Sequence, residues 1–191
     1  MKLFENIKIT DSQLQPIVDW YEKNKDFAPV VTKYNKKGHW AAISLKGYGS
    51  DPMAIGKGGV LGTQTNSVLQ ETALYDELNI GSILKQIPAE TERVRLMSLK
   101  RGTKITKHSD RVDQDIKTGK IIRLHIPVIT DENIICQTWL SGGMAEFRMK
   151  RGECWWLDVS RPHAVINNSE IDRVHIVIDC FNNDTLREVI L

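Results

Sequence analysis

Short extended segments fill the second half of the chain, and this pattern restricts the possible folds more than any other feature of the sequence. From Arg93 onward, glycine-containing turns separate stretches rich in β-branched and aromatic residues, with no helical periodicity between them. The pattern predicts strands at residues 92–99, 104–108, 120–128, 134–140, 144–149, 153–157, 163–167 and 173–180. Short strands at this spacing are typical of a β-sandwich or β-barrel.

The first 90 residues show helical signals instead. Apolar residues recur with the spacing of one helical face at Leu14, Ile17, Val18 and Tyr21. Thr10 or Asp11 is expected to cap this helix. Three further segments are predicted before residue 90, namely a strand at 39–45, a glycine-rich loop at 47–62, and a helix at 68–86 that breaks near Asn79 and Gly81.

The elements together indicate one domain. A last helix is predicted from Asp184, as its cap, through Val189. The expected fold class is α+β, mainly β with flanking helices. We expect a single domain over 1–191, made of a helical and loop part, a β core and a C-terminal helix at 1–90, 91–181 and 182–191.

Composition narrows the class of protein. Hydrophobic residues make up 41% of the chain and charged residues 26%, as in a soluble globular domain. The net charge of +2 is too small to favour nucleic acid or an acidic membrane as a partner. Cys136, Cys154 and Cys180 lie in apolar runs and are expected to be reduced core thiols. Because no apolar leader and no stretch of transmembrane length is visible, a cytoplasmic location is expected.

His108 and Asp110 are the first candidates for a functional site. They are two positions apart, so on an extended backbone their side chains point to the same side. An imidazole and a carboxylate that converge in this way are two ligands of the 2-His-1-carboxylate triad, which binds Fe(II) and leaves the opposite positions open. His163 is the best-placed candidate for the third ligand. The alternative is a turn histidine beside a solvated aspartate.

Two predicted strands carry an Arg-x-His pattern on one face and apolar residues on the other. The polar positions are Arg123 with His125, and Arg173 with His175. Arginine and histidine are donors suited to binding carboxylates, and a solvent-facing sheet more often shows Lys, Glu and Thr. Arg173 opens what we expect to be the strand adjacent to that of His163, close enough for both side chains to enter one cavity. The pattern favours a shared pocket; the alternative is a sheet whose polar face is in water.

Several segments between Trp40 and Asp179 match one protein family in order and spacing. They are WAAISL at 40–45, GTKITKHSD at 102–110, RLHIPV at 123–128, GE and WLD within 152–158, HAVIN at 163–167, and Arg173. In this combination the chain resembles the aspartyl/asparaginyl β-hydroxylase family of Fe(II)- and 2-oxoglutarate-dependent oxygenases. The resemblance implies a double-stranded β-helix, a jelly-roll or cupin-like core preceded by N-terminal helices. It places Fe(II) and 2-oxoglutarate between the two sheets.

The resemblance also implies the metal ligands. His108 and His163 match the iron-binding histidines of the family. Asp110 matches a position at which some members carry the ligating carboxylate and the animal enzymes carry glycine. The chain therefore resembles the amino-acid hydroxylases that keep the full triad.

Four further residues match positions that contact the cosubstrate. Arg173 matches the arginine that pairs with the distal carboxylate of 2-oxoglutarate, and Arg123, His125 and Trp40 match other contact positions. Ser98 lies one residue away from a cosubstrate-binding serine and is not given that role. The stretch at 111–119 is longer than in the animal enzymes, and is either a lid or a solvated hairpin.

The implied activity is hydroxylation of an unactivated C–H of an amino acid or an aspartyl/asparaginyl-type side chain, using O2 and 2-oxoglutarate and giving succinate and CO2. The chain shows no repeat-type peptide-binding segment, which favours a small-molecule substrate. Two alternatives are open. One is a cupin-like metal enzyme that does not use 2-oxoglutarate, and the other is a non-catalytic jelly-roll binding module.

Overall fold

Strands dominate the computed structural model, which describes residues 1–33, 35, 37–56, 68–110 and 119–191. The strands are β1 (Lys2–Lys8), β2 (Ala28–Pro29), β3 (Trp40–Gly47), β4 (Gln70–Glu71), β5 (Thr91–Leu99), β6 (Lys104–His108), β7 (Ile121–Ile129), β8 (Ile134–Leu140), β9 (Gly143–Phe147), β10 (Glu153–Trp156), β11 (His163–Asn167) and β12 (Arg173–Phe181). The helices are α1 (Asp11–Lys23), α2 (Ala73–Glu77), α3 (Ile80–Leu84) and α4 (Asp184–Ile190).

The strands form two antiparallel sheets. The large sheet has the order β1-β10-β7-β12-β5-β3-β2, with β4 paired to β3, and the small sheet has the order β6-β11-β8-β9. Apolar side chains from both sheets, among them Leu99, Cys136 and Val165, form one cluster between them. The predicted fold class is therefore confirmed as a mainly β structure with flanking helices.

The large sheet buries its apolar face under the N-terminal helices. Leu124, Ile126 and Ile176 are fully buried on this face, in the same cluster as Leu14 and Ile17 of α1. Burial of a side chain of this size contributes about 1.5–3 kcal/mol. Since successive residues of a strand point to opposite faces, the arginines and histidines between these apolar positions face the small sheet.

The strands predicted from residue 92 onward are all present, with ends that differ by one or two residues. The sequence pattern predicts no strand before residue 39, yet Lys2–Lys8 pairs with β10. The buried residues Phe4 and Ile7 of β1 are three positions apart. The register of β1 also shifts along its length. A strand without the two-residue alternation has no recognisable signal in the sequence.

The helix termini follow local chemistry. Thr10 precedes α1 as predicted, and its backbone N–H donates to Gln13 Oε1 at 3.1 Å. The prediction that Asp184 caps α4 is wrong. Asp184 is the first residue of the helix, and the preceding Asn183 is the cap, whose side chain accepts the Leu186 N–H at 2.8 Å. The predicted break in the 68–86 helix is confirmed, because Asn79 adopts a left-handed conformation with φ of 50° between α2 and α3.

Two predicted loops fall partly outside the described residues. Residues 48–56 of the 47–62 loop contain no helix or strand, whereas 57–62 and most of the 111–119 stretch are not described. All three cysteines are free and buried, as predicted. Among the described residues, no helix has the length and apolar character needed to cross a membrane.

Gly152 joins the N-terminal strand to the rest of the large sheet. Its N–H donates to Pro127 O at 3.0 Å, and its carbonyl accepts the Ile9 N–H at 3.0 Å. Its φ is +77°, and a Cβ atom there would lie 2.3 Å from Ile9 O. Both the conformation and the close backbone contact therefore require glycine.

We expect the Gly152→Ala variant to be destabilised by at least about 2 kcal/mol, from the left-handed conformation and the clash together. That loss corresponds to a fall in Tm of roughly 4–8 °C for a chain of this size. Gly142→Ala is the matched control, because Gly142 has no positive φ and a Cβ atom added there would meet nothing within 4 Å. Thermal melts of the two variants check this, and equal melting temperatures would contradict it.

Candidate metal centre

The two candidate histidines are cross-strand neighbours on the small sheet. His163 opens β11 directly opposite His108, the last residue of β6. Their ring centroids are 4.3 Å apart, and both residues are buried. A register shift between His163 and Val165 lets β6 direct both Ile105 and His108 inward.

Asp110 completes a group of three possible ligands. Its N–H donates to Val159 O at 2.8 Å, which fixes the backbone just beyond β6. Its Oδ1 lies 3.5 Å from His108 Nε2. One ligand atom from each of His108, Asp110 and His163 falls within 4.8 Å of the others. The structure therefore brings the three predicted metal ligands together.

Hydrogen bonds fix which nitrogen of each histidine can ligate a metal. His108 Nδ1 lies 2.8 Å from Thr106 O, and His163 Nδ1 lies 3.0 Å from Arg161 O. Since a carbonyl oxygen only accepts, each Nδ1 carries the hydrogen, and each Nε2 has the lone pair that a metal needs. Burial lowers the pKa of His163, which favours the neutral, ligating form.

The second oxygen of Asp110 is held by an arginine of the large sheet. Arg123 forms an ion pair with Asp110 Oδ2 through Nη1. Its Nε donates to Asp179 Oδ1 at 2.7 Å and its Nη2 to Asp179 Oδ2 at 3.2 Å. Arg93 and Arg95 also donate to Asp179 Oδ2, at 2.8 and 2.9 Å.

The charges in this network compensate one another. Burial alone would raise the pKa of Asp179, but Arg123, Arg95 and Arg93 hold it well below its usual range. Burial acts to lower the pKa of Arg123, and the carboxylates of Asp179 and Asp110 outweigh it, so the pKa is raised. Both groups are therefore charged at neutral pH.

Arg173 is also a buried cation, but its neighbours differ from those of Arg123. Its Nη2 lies 3.0 Å from His175 Nδ1, and its Nε has no hydrogen-bond partner in the described part of the chain. None of the described carboxylates forms an ion pair with it. Cys136 of the small sheet also contacts it, and burial lowers the pKa of Arg173 and raises that of Cys136. Arg173 thus lies between the sheets, and its neighbours among the described residues are neutral.

His125 and Trp40 border the same space. Both ring nitrogens of His125 are buried without a hydrogen-bond partner among the described residues. Burial, and then the charges of Arg173 and Arg123, keep its pKa well below the ordinary value, so the ring is neutral. The Trp40 ring lies 5.8 Å from the His108 ring.

One expectation about this region is wrong. Arg173 does not open a strand adjacent to that of His163, because β12 belongs to the large sheet and β11 to the small sheet. The two residues belong to opposite sheets that face each other. Ser98, which has no predicted role, bonds to Tyr21 Oη at 2.9 Å on the helix-covered face.

Asp179 and two of the arginines that contact it, Arg93 and Arg95, are absent from the sequence-based predictions. Arg93 and Arg95 are two positions apart on β5, and Asp179 lies directly opposite both Arg93 and Arg123 in the sheet. The available signal is a third strand with alternating arginines, together with an aspartate within the polar face of β12. Only the strand order shows that the side chains meet.

Comparison with known proteins identifies a family and a shared fold. A family model described as aspartyl/asparaginyl beta-hydroxylase matches residues 11–183. A crystal structure of an oxidoreductase of the 2OG-Fe(II) oxygenase family from Burkholderia pseudomallei is 12% identical, with a TM-score of 0.57 over 90% of this chain and 78% of that one. A non-heme monooxygenase, ThoJ, in a nickel complex is 10% identical, with a TM-score of 0.53 over 94% of this chain and 72% of that one. At these identities the two structures show a shared fold.

Proposed function

Because the chain belongs to the aspartyl/asparaginyl β-hydroxylase family and is therefore an oxygenase, we propose that it hydroxylates an unactivated C–H of an amino acid or an aspartyl/asparaginyl-type side chain. Iron and 2-oxoglutarate are the proposed cofactor and cosubstrate. One observation carries the proposal: a buried Arg173 with no described anionic partner lies in the same intersheet space as three convergent metal ligands.

The three ligands suit Fe(II). Two neutral imidazole nitrogens and one carboxylate oxygen are the donor set of the 2-His-1-carboxylate sites, and ligation from one side leaves positions open for a chelate and O2. We propose that His108, His163 and Asp110 bind the metal in this way. The carbonyls of Thr106 and Arg161 orient the two rings, as outer-sphere partners do in other metal sites.

The surroundings of Arg173 suit the distal carboxylate of 2-oxoglutarate. A buried guanidinium next to neutral groups is unfavourable, and a carboxylate that accepts two hydrogen bonds from it would relieve the cost. Arg123, His125 and Trp40 remain proposed contacts of the near end of the cosubstrate or of the substrate. In this structure Arg123 is engaged by Asp110 and Asp179, and the ring nitrogens of His125 have no hydrogen-bond partner among the described residues.

The bound cofactor and cosubstrate supply the oxidation: O2 and 2-oxoglutarate are consumed, succinate and CO2 leave, and C–H becomes C–OH. The residues of this chain hold and orient the reactants. The apolar cluster between the sheets excludes water from one side of the site. The N-terminal part is proposed to support the substrate side of a single domain in the cytoplasm through the 47–62 loop, because α1 packs on the opposite, apolar face of the large sheet.

An anaerobic titration of the metal-free protein with Fe(II) and then 2-oxoglutarate tests this function. We expect stoichiometric Fe(II) binding, followed by the weak visible charge-transfer absorption of the 2-oxo acid chelate. A screen of amino acids and peptides for succinate release in air then identifies the substrate. Fe(II) binding without the chelate band, and turnover indifferent to 2-oxoglutarate, would favour a cupin-like enzyme. A protein that binds no Fe(II) would be a non-catalytic binding module.

A further inference from the structure

We propose that Asp179 is a positioning residue that acts through Arg123 to hold Asp110 as a one-oxygen metal ligand. Asp179 is fully buried on β12, in the other sheet from the two histidines. It contacts none of the three ligands among its described hydrogen bonds, and its effect passes through a single guanidinium. The inference rests on the proposed metal site.

The two oxygens of Asp110 face different partners. Oδ1 lies 3.5 Å from His108 Nε2, on the side where the ligand atoms converge. Oδ2 is taken by Arg123 Nη1. A carboxylate with one oxygen engaged in this way presents the other to the metal, which leaves more coordination positions open than two-oxygen binding would. Asp110 keeps a side-chain exposure of 19%, so packing alone does not hold it.

Arg123 uses all three of its nitrogens. Nε and Nη2 form a side-on pair with Asp179, and Nη1 is left to reach Asp110. The planar guanidinium fixes the angle between these two directions, so the position of Asp179 determines where Nη1 points. A lysine has one ammonium group and cannot reproduce this arrangement.

Arginines of both neighbouring strands hold Asp179 in place. Asp179 lies directly opposite Arg93 on β5 and Arg123 on β7, and it accepts hydrogen bonds from arginines of both strands. Its negative charge also compensates cations near the metal. Loss of that charge therefore acts in one direction: Arg123 loses its orientation, and the uncompensated arginines oppose the binding of a divalent cation.

The test compares Co(II) binding by metal-free proteins under argon, followed by the visible d–d absorption. We expect Asp179→Asn to lower Co(II) affinity roughly 10–100-fold, the usual effect of removing an outer-sphere partner. Arg123→Lys keeps every charge and is expected to lower the affinity through lost orientation alone. Since the two substitutions disturb the same contact between Arg123 and Asp110, the double variant should lose about as much Co(II) affinity as the weaker-binding single variant.

Asp172→Asn is the matched control. Asp172 is also multiply hydrogen-bonded, to Tyr21 at 2.7 Å, Lys100 at 3.1 Å and the Arg101 N–H at 2.9 Å, but it does not contact the metal ligands. The Asp172→Asn substitution should lower the Tm of the metal-free protein and leave its Co(II) affinity unchanged.

The outcomes are separable. Two results would overturn the inference. One is a Co(II) affinity within about twofold of wild type in the folded Asp179→Asn and Arg123→Lys variants. The other is a double variant in which the two losses of affinity multiply. If Asp179→Asn does not fold, Arg123→Lys decides by the same criterion. A wild-type protein that binds no Co(II) would overturn the proposed metal site together with the inference, whereas wild-type binding with unaffected variants would overturn the inference alone.

Discussion

The His108→Ala and His163→Ala variants are expected to lose metal binding and turnover. Each removes one of the three proposed protein ligands, so the loss of affinity should exceed the roughly 10–100-fold effect of an outer-sphere change. The fold should tolerate either change, because the hydrogen bond that each ring donates reaches a carbonyl only two residues earlier. Such a bond contributes about 1 kcal/mol. Fe(II) content after anaerobic reconstitution, read beside the Tm of the metal-free protein, measures both effects.

His39→Ala is the matched control for these variants. His39 precedes β3, and the metal-ligand group of the described residues does not include it. The His39→Ala variant should bind Fe(II) as the wild-type protein does. Retention of stoichiometric, tightly bound Fe(II) by either His108→Ala or His163→Ala would show that the metal ligands are wrongly assigned.

The Arg173→Met variant should show opposite effects on cosubstrate binding and on stability. Loss of one partner of a buried charged pair costs about 2–5 kcal/mol, so the 2-oxoglutarate requirement should rise on the order of 10²–10³-fold. The metal-free protein, however, holds Arg173 buried beside neutral groups. An apolar side chain of similar length removes that cost, so the Tm should stay the same or rise.

Arg148→Met provides the comparison. Arg148 is exposed, and its Nε donates only to the Glu132 carbonyl among the described contacts, at 2.7 Å. It should change neither the 2-oxoglutarate dependence of succinate formation nor the Tm by a measurable amount. An unchanged 2-oxoglutarate requirement in Arg173→Met would make the cosubstrate assignment wrong. A marked fall in its Tm would instead indicate a structural ion pair.

Local patterns predict the β core well and indicate the candidate ligands, for physical reasons. Strands such as β7 and β12 alternate over most of their length, because one face packs on helices and the other lines a polar site. That alternation identifies both the strand and its functional face. His108 and Asp110 are recognisable because neighbours on an extended chain meet without help from the fold.

The contacts that could not be predicted from the sequence depend on the order of the strands in the sheets. β1 is an edge strand whose buried residues do not alternate, so its place becomes visible only in its pairing with β10 and its packing in the core. The meeting of Arg93 and Arg123 at Asp179 likewise requires β5, β12 and β7 to be neighbours. Such contacts span more than fifty residues of chain, and local spacing carries no information about them.

The distribution of the site over two sheets has a consequence for mutational tolerance. The proposed metal ligands belong to the small sheet and to the residues just after β6, whereas Arg173 belongs to the large sheet. The separation between them is set by the apolar cluster that includes Leu99, Cys136 and Val165. These core positions therefore set the distance between Arg173 and the proposed metal ligands. A change in their volume is expected to alter that distance.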